Sequence, residues 1–315
     1  MKIALVGPGI MPIPPPGWGA VEILIWDYYM ELSEQGNDVT IINTPSKSSI
    51  VEQINHGHFD FVHLHYDVFY DILDHLTCPK IAITSHYPYI DQPEKHRADG
   101  YTSVFSFLTH QTKYYNFVLA SKDYNAFIRA GADPRFLRKI KNGIDSSLFR
   151  FTERPSKNRT ICLGKISPRK NQVLLQSIQG IDFVGDNTDS KFNAQSSSYL
   201  GPWTRDEIHN NLTQYVNLIL LSEGEADPLV VKEALVAGLG VVVNRSSSEN
   251  LDTSLGFVTV IDDDKISNLD YIKDKIEENK SRVFLHRKEI REYGVKNFDI
   301  KQEVIKYITI LNELC

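Results

Sequence analysis

Short apolar runs alternate with amphipathic segments along the first half of the chain. Ile3–Val6 has the apolar character of a buried strand and is followed by a predicted amphipathic helix that ends at Gly36. The apolar positions of that helix, spaced three and four residues apart, are Val21, Leu24, Ile25, Tyr28 and Leu32. Further strands are predicted at Val39–Ile42, Phe61–Leu64, Ile81–Thr84 and Phe117–Ala120. This alternation predicts a parallel sheet covered by helices.

A second series of strands and helices follows a polar, proline-containing stretch at residues 149–157, which we interpret as an interdomain linker. Its strands are predicted at Thr160–Gly164, Ile181–Val184, Tyr199–Leu200, Val216–Leu221 and Val241–Asn244. Thr204–Glu207 has the spacing of a helix-opening capping box, and Asp227-Pro228 has the pattern of an N-cap followed by proline at the first helical position. Polar residues 187–198 predict a surface loop, and residues 301–314 predict a final packed helix.

Length and charge limit the classes of function. A chain of 315 residues suits two domains. The net charge is −6, and residues 1–150 contain 13 Lys and Arg against 16 Asp and Glu, so both halves carry the same net charge. This balance argues against nucleic acid as the main partner, because duplex binding requires a basic surface.

Cysteine content and hydropathy bear on the compartment. The three cysteines are far apart and show no CxxC spacing, so neither a zinc site nor a disulfide framework is predicted. The first apolar run is cut off at Gly7-Pro8-Gly9, and no segment approaches 18 apolar residues. We therefore expect a cytoplasmic protein with at most peripheral membrane contact.

Two glycine-containing junctions are candidate phosphate sites. Gly7-Pro8-Gly9 does not complete a dinucleotide fingerprint, because Pro12 stands where the third glycine would be. Gly17-Trp18-Gly19 comes just before a helix, where backbone N–H groups can approach a phosphate; a tight turn without a ligand is the alternative. In the second half, Gly164 follows a strand and is followed by three cations, Lys165, Arg169 and Lys170. They suit a diphosphate, but without other evidence a solvated basic turn is the better explanation.

Two glutamates come next along the chain. If a helix begins near Pro228, Glu225 lies in the loop before it and Glu233 lies on its second turn, so both can face one pocket. A carboxylate accepts hydrogen bonds from vicinal hydroxyls, as in a sugar or a ribose. The spacing alone is weak, since such glutamate pairs are common and usually solvated.

These motifs, in this order, resemble the retaining glycosyltransferases of family 4, which have the GT-B fold and a Glu-x7-Glu signature. The resemblance covers nearly the whole chain. In the first half it rests on Pro16–Glu22, Asp60–His65, Thr84-Ser85-His86 and Lys141–Asp145. In the second half it rests on Gly164–Lys170, Phe183–Asp186, Tyr199–Gly201 and Glu225–Glu233.

The resemblance implies an α/β protein of the GT-B class, with two Rossmann-like domains whose parallel sheets face each other across a cleft. Residues 1–152 would form the acceptor-side domain and residues 153–298 the nucleotide-sugar-binding domain, and a helix at residues 299–315 would cross back to the first domain.

The implied activity is transfer of a hexose from a UDP- or GDP-sugar to an acceptor hydroxyl on a glycan, lipid or other molecule, with retention and with neither metal nor cofactor. Glu225, which would hold the transferred sugar, is expected to be catalytic together with His86 and Lys170. The donor would be bound by Gly17, Gly19, Lys165, Lys170, Tyr199, Leu200, Leu229, Val230 and Glu233, with Glu233 on the ribose.

Several alternatives stay open. A nucleotide-sugar 2-epimerase shares the fold, and a binding protein without turnover is a different class. Two departures from the family pattern are Lys165 in place of arginine and Asp227-Pro228 in place of Phe-Gly. His63 and His65 alternate on one strand and resemble a metal pair, but no third ligand has suitable spacing, so we interpret them as core or cleft histidines. Asp262–Asp264 matches the Asp-x-Asp of metal-dependent transferases, yet its position is that of a turn after a strand.

Overall fold

The computed structural model describes residues 1–314, which divide into two compact units. The first unit contains residues 1–15 and 19–143 together with the chain from Ile300 onward, and the second contains residues 16–18 and 144–299. By this division residues 144–152, which the sequence analysis assigned to the first domain, belong to the second unit.

Each unit contains one parallel sheet. The strands of the first sheet are β1 (Lys2–Gly7), β2 (Asp38–Asn43), β3 (Phe61–Leu64), β4 (Ile81–Ile83), β5 (Tyr115–Val118) and β6 (Leu137–Lys139), in the order β2-β1-β3-β4-β5-β6. Those of the second sheet are β7 (Thr160–Leu163), β8 (Ile181–Val184), β9 (Asn217–Leu220), β10 (Gly240–Asn244) and β11 (Val258–Ile261), in the order β11-β10-β9-β7-β8. The predicted parallel α/β organisation is confirmed for both halves.

Helices lie between the strands and also follow the last strand. They are α1 (Ala20–Glu34), α2 (Lys47–Gly57), α3 (Tyr101–His110), α4 (Ser121–Arg129), α5 (Gln172–Leu175), α6 (Arg205–Asn211), α7 (Leu229–Val236), α8 (Leu269–Val283), α9 (Arg287–Phe298) and α10 (Ile300–Leu314). In the first unit α10 packs against α1, where the rings of Tyr28 and Tyr307 meet with centroids 5.0 Å apart. Within residues 1–314, no helix combines the length and the apolarity needed to cross a bilayer.

Three local predictions differ from the structure. Tyr199–Leu200 is not a strand but a single bridge between Tyr199 and Phe183, because Pro202, two residues later, has no N–H to extend a ladder. Strand β5 begins two residues before the predicted run. Strand β6 was not predicted, because its three residues include one apolar residue, Leu137, and so show no apolar run. It lies at the edge of the sheet, where it pairs on one side only.

The two predicted helix starts have different outcomes. Thr204 accepts from the backbone N–H of Glu207, whose carboxylate in turn accepts from the backbone N–H of Thr204, so the capping box of α6 is confirmed. The prediction that Asp227 caps α7 is wrong. The helix begins after Pro228 without a side-chain cap, and the Asp227 carboxylate forms an ion pair with Lys232 on the buried side of the helix.

Arg287 connects the ends of several elements in the second unit. Its side chain is almost completely buried and donates to the carbonyls of Thr152 (2.9 Å), Tyr215 (2.7 Å) and Thr213 (2.6 Å). A further contact reaches the carbonyl of Ala237 at 3.3 Å, just after α7. Burial lowers the pKa of Arg287 to about 10. One guanidinium thus satisfies carbonyls that would otherwise be buried without a donor.

Candidate functional site

Glu225 and the cations of the Gly164–Lys170 segment lie at the carboxyl edge of the second sheet. The segment follows β7, and Glu225 lies in the loop between β9 and α7. The two loops are joined by a backbone hydrogen bond from Glu223 N–H to the carbonyl of Arg169, 2.8 Å long. This edge is where open α/β sheets bind ligands.

Glu225 is held by two cations. Its Oε1 lies 3.2 Å from Arg169 Nη1 and 3.7 Å from Lys170 Nζ, and 12% of its side chain is exposed. Burial raises the pKa of Glu225, but the charges of Lys170 and Arg169 outweigh burial and leave the pKa below its ordinary value. Glu225 is therefore an ionised acceptor, with two positive groups beside it. Arg169 also contacts Ser222 Oγ at 3.1 Å, which fixes its position in the loop.

Lys165 is exposed and lies near Trp18, which stands between Gly17 and Gly19 in the sequence and belongs to the second unit. Its Nζ is 5.2 Å from the centroid of the Trp18 ring, and Trp18 is 46% exposed. Gly164 has a φ of +134°, and a side chain at Gly185, whose φ is +144°, would run into the backbone of Gly164. The chain after β7 and the chain after β8 therefore approach so closely that only glycine fits.

Glu233 lies on the second turn of α7, as predicted, and is almost completely buried. Its Oε1 lies 2.8 Å from Nη1 of Arg205, the first residue of α6. Leu229 and Val230 form the first turn of α7, where backbone N–H groups have no intrahelical acceptor and suit an anion. Glu233 therefore presents an ion-paired carboxylate one turn after a potential phosphate site.

Tyr199 and Leu200 lie beside the end of β8. The Tyr199 hydroxyl donates to the carbonyl of Gly185 at 2.9 Å, and Leu200 N–H donates to the carbonyl of Phe183 at 2.9 Å. Leu200 is 39% exposed. The second unit thus collects most of the predicted donor-binding residues in the segments after β7 and β8 and on α7, which follows β9.

His86 follows β4 in the first unit and belongs to a group of three histidines. Its Nε2 lies 3.2 Å from Nδ1 of His65, and the rings of His63 and His65 have centroids 3.9 Å apart. Burial lowers the pKa of His86 to about 4 and holds the pKa values of His63 and His65 well below the ordinary value. The group is therefore neutral at pH 7.

Hydrogen bonds define the role of His63. The Thr84 hydroxyl donates to the carbonyl of Phe117 at 3.0 Å, so its oxygen accepts from His63 Nε2 at 2.8 Å. Nδ1 of His63 then accepts from the Tyr307 hydroxyl at 3.0 Å. Both ring nitrogens form hydrogen bonds inside the core, in agreement with the interpretation of His63 as a core histidine. In residues 1–314 no group of three or more His, Cys, Asp or Glu side chains is placed to hold a metal ion.

A carboxylate that was not predicted as a site residue, that of Glu22, lies in the first turn of α1 beside Gly19. Gly19, with a φ of +125°, precedes α1, and a side chain there would lie 3.0 Å from Oε2 of Glu22. Burial raises the pKa of Glu22, which accepts hydrogen bonds from backbone N–H groups of the loop and of the first helical turn. A phosphate at Gly19 would meet this carboxylate, whereas Gly17 belongs to the second unit. The signal was an acidic residue in the first turn of a helix.

The sequence matches no protein-family model and no functionally curated protein. Solved structures match it along nearly its whole length. AviGT4, a glycosyltransferase involved in avilamycin A biosynthesis, is 15% identical with a TM-score of 0.72, covering 99% of this chain and 97% of its own. HepE of Anabaena, in complex with UDP and glucose, is 16% identical with a TM-score of 0.71 and 99% coverage of both chains.

A third structure extends the comparison. Sucrose-phosphate synthase from Thermosynechococcus elongatus is 12% identical with a TM-score of 0.75, covering 99% of this chain and 98% of its own. At such identities the likeness shows the fold. Together with the two parallel sheets it confirms the predicted α/β GT-B class with two Rossmann-like units.

Proposed function

We propose that this protein transfers a hexose from a UDP- or GDP-sugar to an acceptor hydroxyl, with retention of configuration and without a metal or cofactor. The observation that carries the proposal is the ionised Glu225 held between Arg169 and Lys170 at the carboxyl edge of the second sheet. HepE, which shares the fold, was solved with UDP-glucose, and this supports a nucleotide-sugar donor.

The roles follow from charge and position. Glu233 would accept from the ribose hydroxyls, and Lys165 and Lys170 would bind the diphosphate. Glu225 would accept from hydroxyls of the transferred sugar and favour positive charge developing on its ring. Departure of the diphosphate then places negative charge beside the lysines, and its oxygen takes the acceptor's proton. His86 would contact the sugar or the acceptor as a neutral imidazole.

The test uses Glu225→Gln with the exposed Glu223→Gln as a matched control. UDP, GDP, ADP and their sugars are first screened by thermal shift, and release of nucleotide from the best donor is then followed with and without EDTA. We expect Glu225→Gln to lower the rate about 100-fold, because removal of one preorganised charge contact costs about that much. Its affinity for the nucleoside diphosphate should change little, and Glu223→Gln should behave like the wild type.

The outcomes distinguish the alternatives. Binding of a nucleotide sugar without any release of nucleotide would favour a binding protein, and release coupled to inversion at C2 of the sugar would favour a 2-epimerase. Absence of binding to every donor, or an undiminished rate in Glu225→Gln, would refute the proposed transfer reaction.

A further inference from the structure

The environment of Glu233 contains a cation that the proposed function does not use. Glu233 is 4% exposed, and its Oε1 lies 2.8 Å from Nη1 of Arg205. Burying a carboxylate costs much free energy unless it is paired and hydrogen-bonded. The guanidinium of Arg205 supplies that partner. A carboxylate has about four acceptor sites, so Glu233 can keep Arg205 and still accept from two hydroxyls.

Arg205 is itself held from a second side. Its Nη2 lies 3.2 Å from Nε2 of His209, which follows it by one helical turn on α6. A guanidinium can only donate, so Nε2 of His209 accepts and the imidazole is neutral with its proton on Nδ1. Burial, followed by the charge of Arg205, lowers the pKa of His209, in agreement with this arrangement.

His209 is anchored in turn, which makes the arrangement a fixed chain of contacts. The His209 carbonyl accepts from the backbone N–H of Arg150 at 3.0 Å, and its ring packs edge-on against Phe149 with centroids 4.8 Å apart. The capping box at Thr204 fixes the start of α6 immediately before Arg205. The contacts run from His209 through Arg205 to Glu233, and the residues at both ends lie in helices, His209 in α6 and Glu233 in α7.

We propose that Arg205 is a positioning residue for donor recognition, which orients the Glu233 carboxylate toward the 2′,3′-diol of a ribonucleoside diphosphate. The proposal rests on the proposed function, since Glu233 is the ribose-binding residue there. Arg205 acts through Glu233 and makes the site selective for ribonucleotides over deoxyribonucleotides. It is not a catalytic residue, so its loss should raise the donor KM and leave kcat nearly unchanged.

The experiment compares nucleotides that differ by one hydroxyl. Dissociation constants are measured for UDP and 2′-deoxy-UDP, and for GDP and 2′-deoxy-GDP, with the wild type, Arg205→Gln, Arg205→Lys and Glu233→Gln. We expect the wild type to prefer the ribonucleotide. Arg205→Gln should weaken its binding by roughly tenfold or more, the usual effect of losing a charge-assisted contact, and should weaken binding of the deoxynucleotide less, because only the 3′-hydroxyl of the diol remains there. Arg205→Lys keeps the charge without the fork and should restore part of the preference.

A double variant and a matched control sharpen the result. Arg205→Gln combined with Glu233→Gln should be no worse than Glu233→Gln alone, because both act on one contact. Arg159 forms a comparable ion pair with Asp182 at 2.5 Å, at the amino end of β7. Arg159→Gln should leave the preference for the ribonucleotide unchanged, and thermal midpoints verify that each variant is folded.

Failure of the inference is distinguishable from failure of the proposed function. If the wild type binds none of the four nucleotides, the proposed function fails and the role of Arg205 fails with it. If the wild type prefers the ribonucleotide and both Arg205 variants keep the full preference, only the role of Arg205 is refuted. Tighter binding by Arg205→Gln than by the wild type would also refute it, since Arg205 would then compete with the ribose.

Discussion

The ion pair between Asp227 and Lys232 is almost completely buried, with side-chain exposures of 0% and 1%. Lys232 Nζ also lies 5.3 Å from the ring centroid of Phe298. Asp227 is the counter-ion of Lys232, which lies on the buried face of α7.

Removing one member of this pair should destabilise the protein strongly. Lys232→Met leaves the Asp227 carboxylate buried without this partner, and we expect the free energy of unfolding to fall by about 3–5 kcal/mol. Urea denaturation measures the loss. The double variant Asp227→Leu, Lys232→Met should recover much of it, because no buried charge remains.

An exposed pair supplies the control. Lys265 and Asp264 lie 3.1 Å apart with side-chain exposures of 48% and 71%, so Lys265→Met should change stability by less than about 1 kcal/mol. Equal effects of Lys232→Met and Lys265→Met would contradict the account of the buried pair.

At the scale of elements, one buried side chain joins segments that precede several strands of the second sheet. Arg287 at the start of α9 donates to carbonyls before β9, after α7 and in the chain before β7. Because these carbonyls end or join elements, they lack partners within regular secondary structure. Arg287 thereby connects the helix that carries Glu233 to the strand that leads to Glu225.

We expect Arg287→Met to lower the free energy of unfolding by about 3 kcal/mol or more, since several buried carbonyls lose their donor at once. Urea denaturation followed by circular dichroism measures the change. Arg282→Met is the control, because Arg282 is exposed and pairs with Glu278 at 3.7 Å. A loss no larger than that of Arg282→Met would show that the buried carbonyls do not depend on Arg287.

At the scale of the molecule, the three neutral histidines of the first unit make stability depend on pH. In the unfolded chain these histidines take up protons near pH 6.5. In the folded chain they do so only at lower pH, and the pKa of His86 is about 4. Between the folded-state pKa values and pH 6.5 the unfolded state binds more protons than the folded state, so the free energy of unfolding falls as pH falls. Burial raises the pKa values of Glu22 and Asp67, which acts in the opposite direction above their ordinary values of 4.5 and 3.8 and makes the net dependence on pH less steep.

The slope of the free energy of unfolding against pH tests this account. Each histidine that stays neutral should remove about 1.4 kcal/mol of stability per pH unit between pH 6.5 and 5, as measured by urea denaturation across that range. His65→Asn keeps an amide beside His86 but cannot titrate, so its slope should be smaller by the share of one histidine. The exposed His56→Gln should leave the slope unchanged. A wild-type stability that is flat from pH 7 to 5 would contradict the assignment of these histidines as neutral.

Local periodicity determined much of the fold in advance. The predicted positions of β1, β3, β7 and β8 agree with the structure because a buried parallel strand needs a continuous apolar run, which is visible in a few adjacent residues. The capping box of α6 and the place of Glu233 on the second turn of α7 were equally local. Errors arose where an element depends on its neighbours, as for the edge strand β6 and for Tyr199–Leu200.

The sequence by itself determined which residue types follow each strand, and hence the order of the glycines, cations and glutamates. Only the tertiary structure decided which charges meet. Arg205 faces Glu233, Arg169 faces Glu225, and Lys232 takes Asp227 away from the helix end. The physical reason is that parallel strands bring loops from distant parts of the chain to one edge of a sheet. Ion pairing and burial there depend on distances through space that the spacing of residues along the chain does not encode.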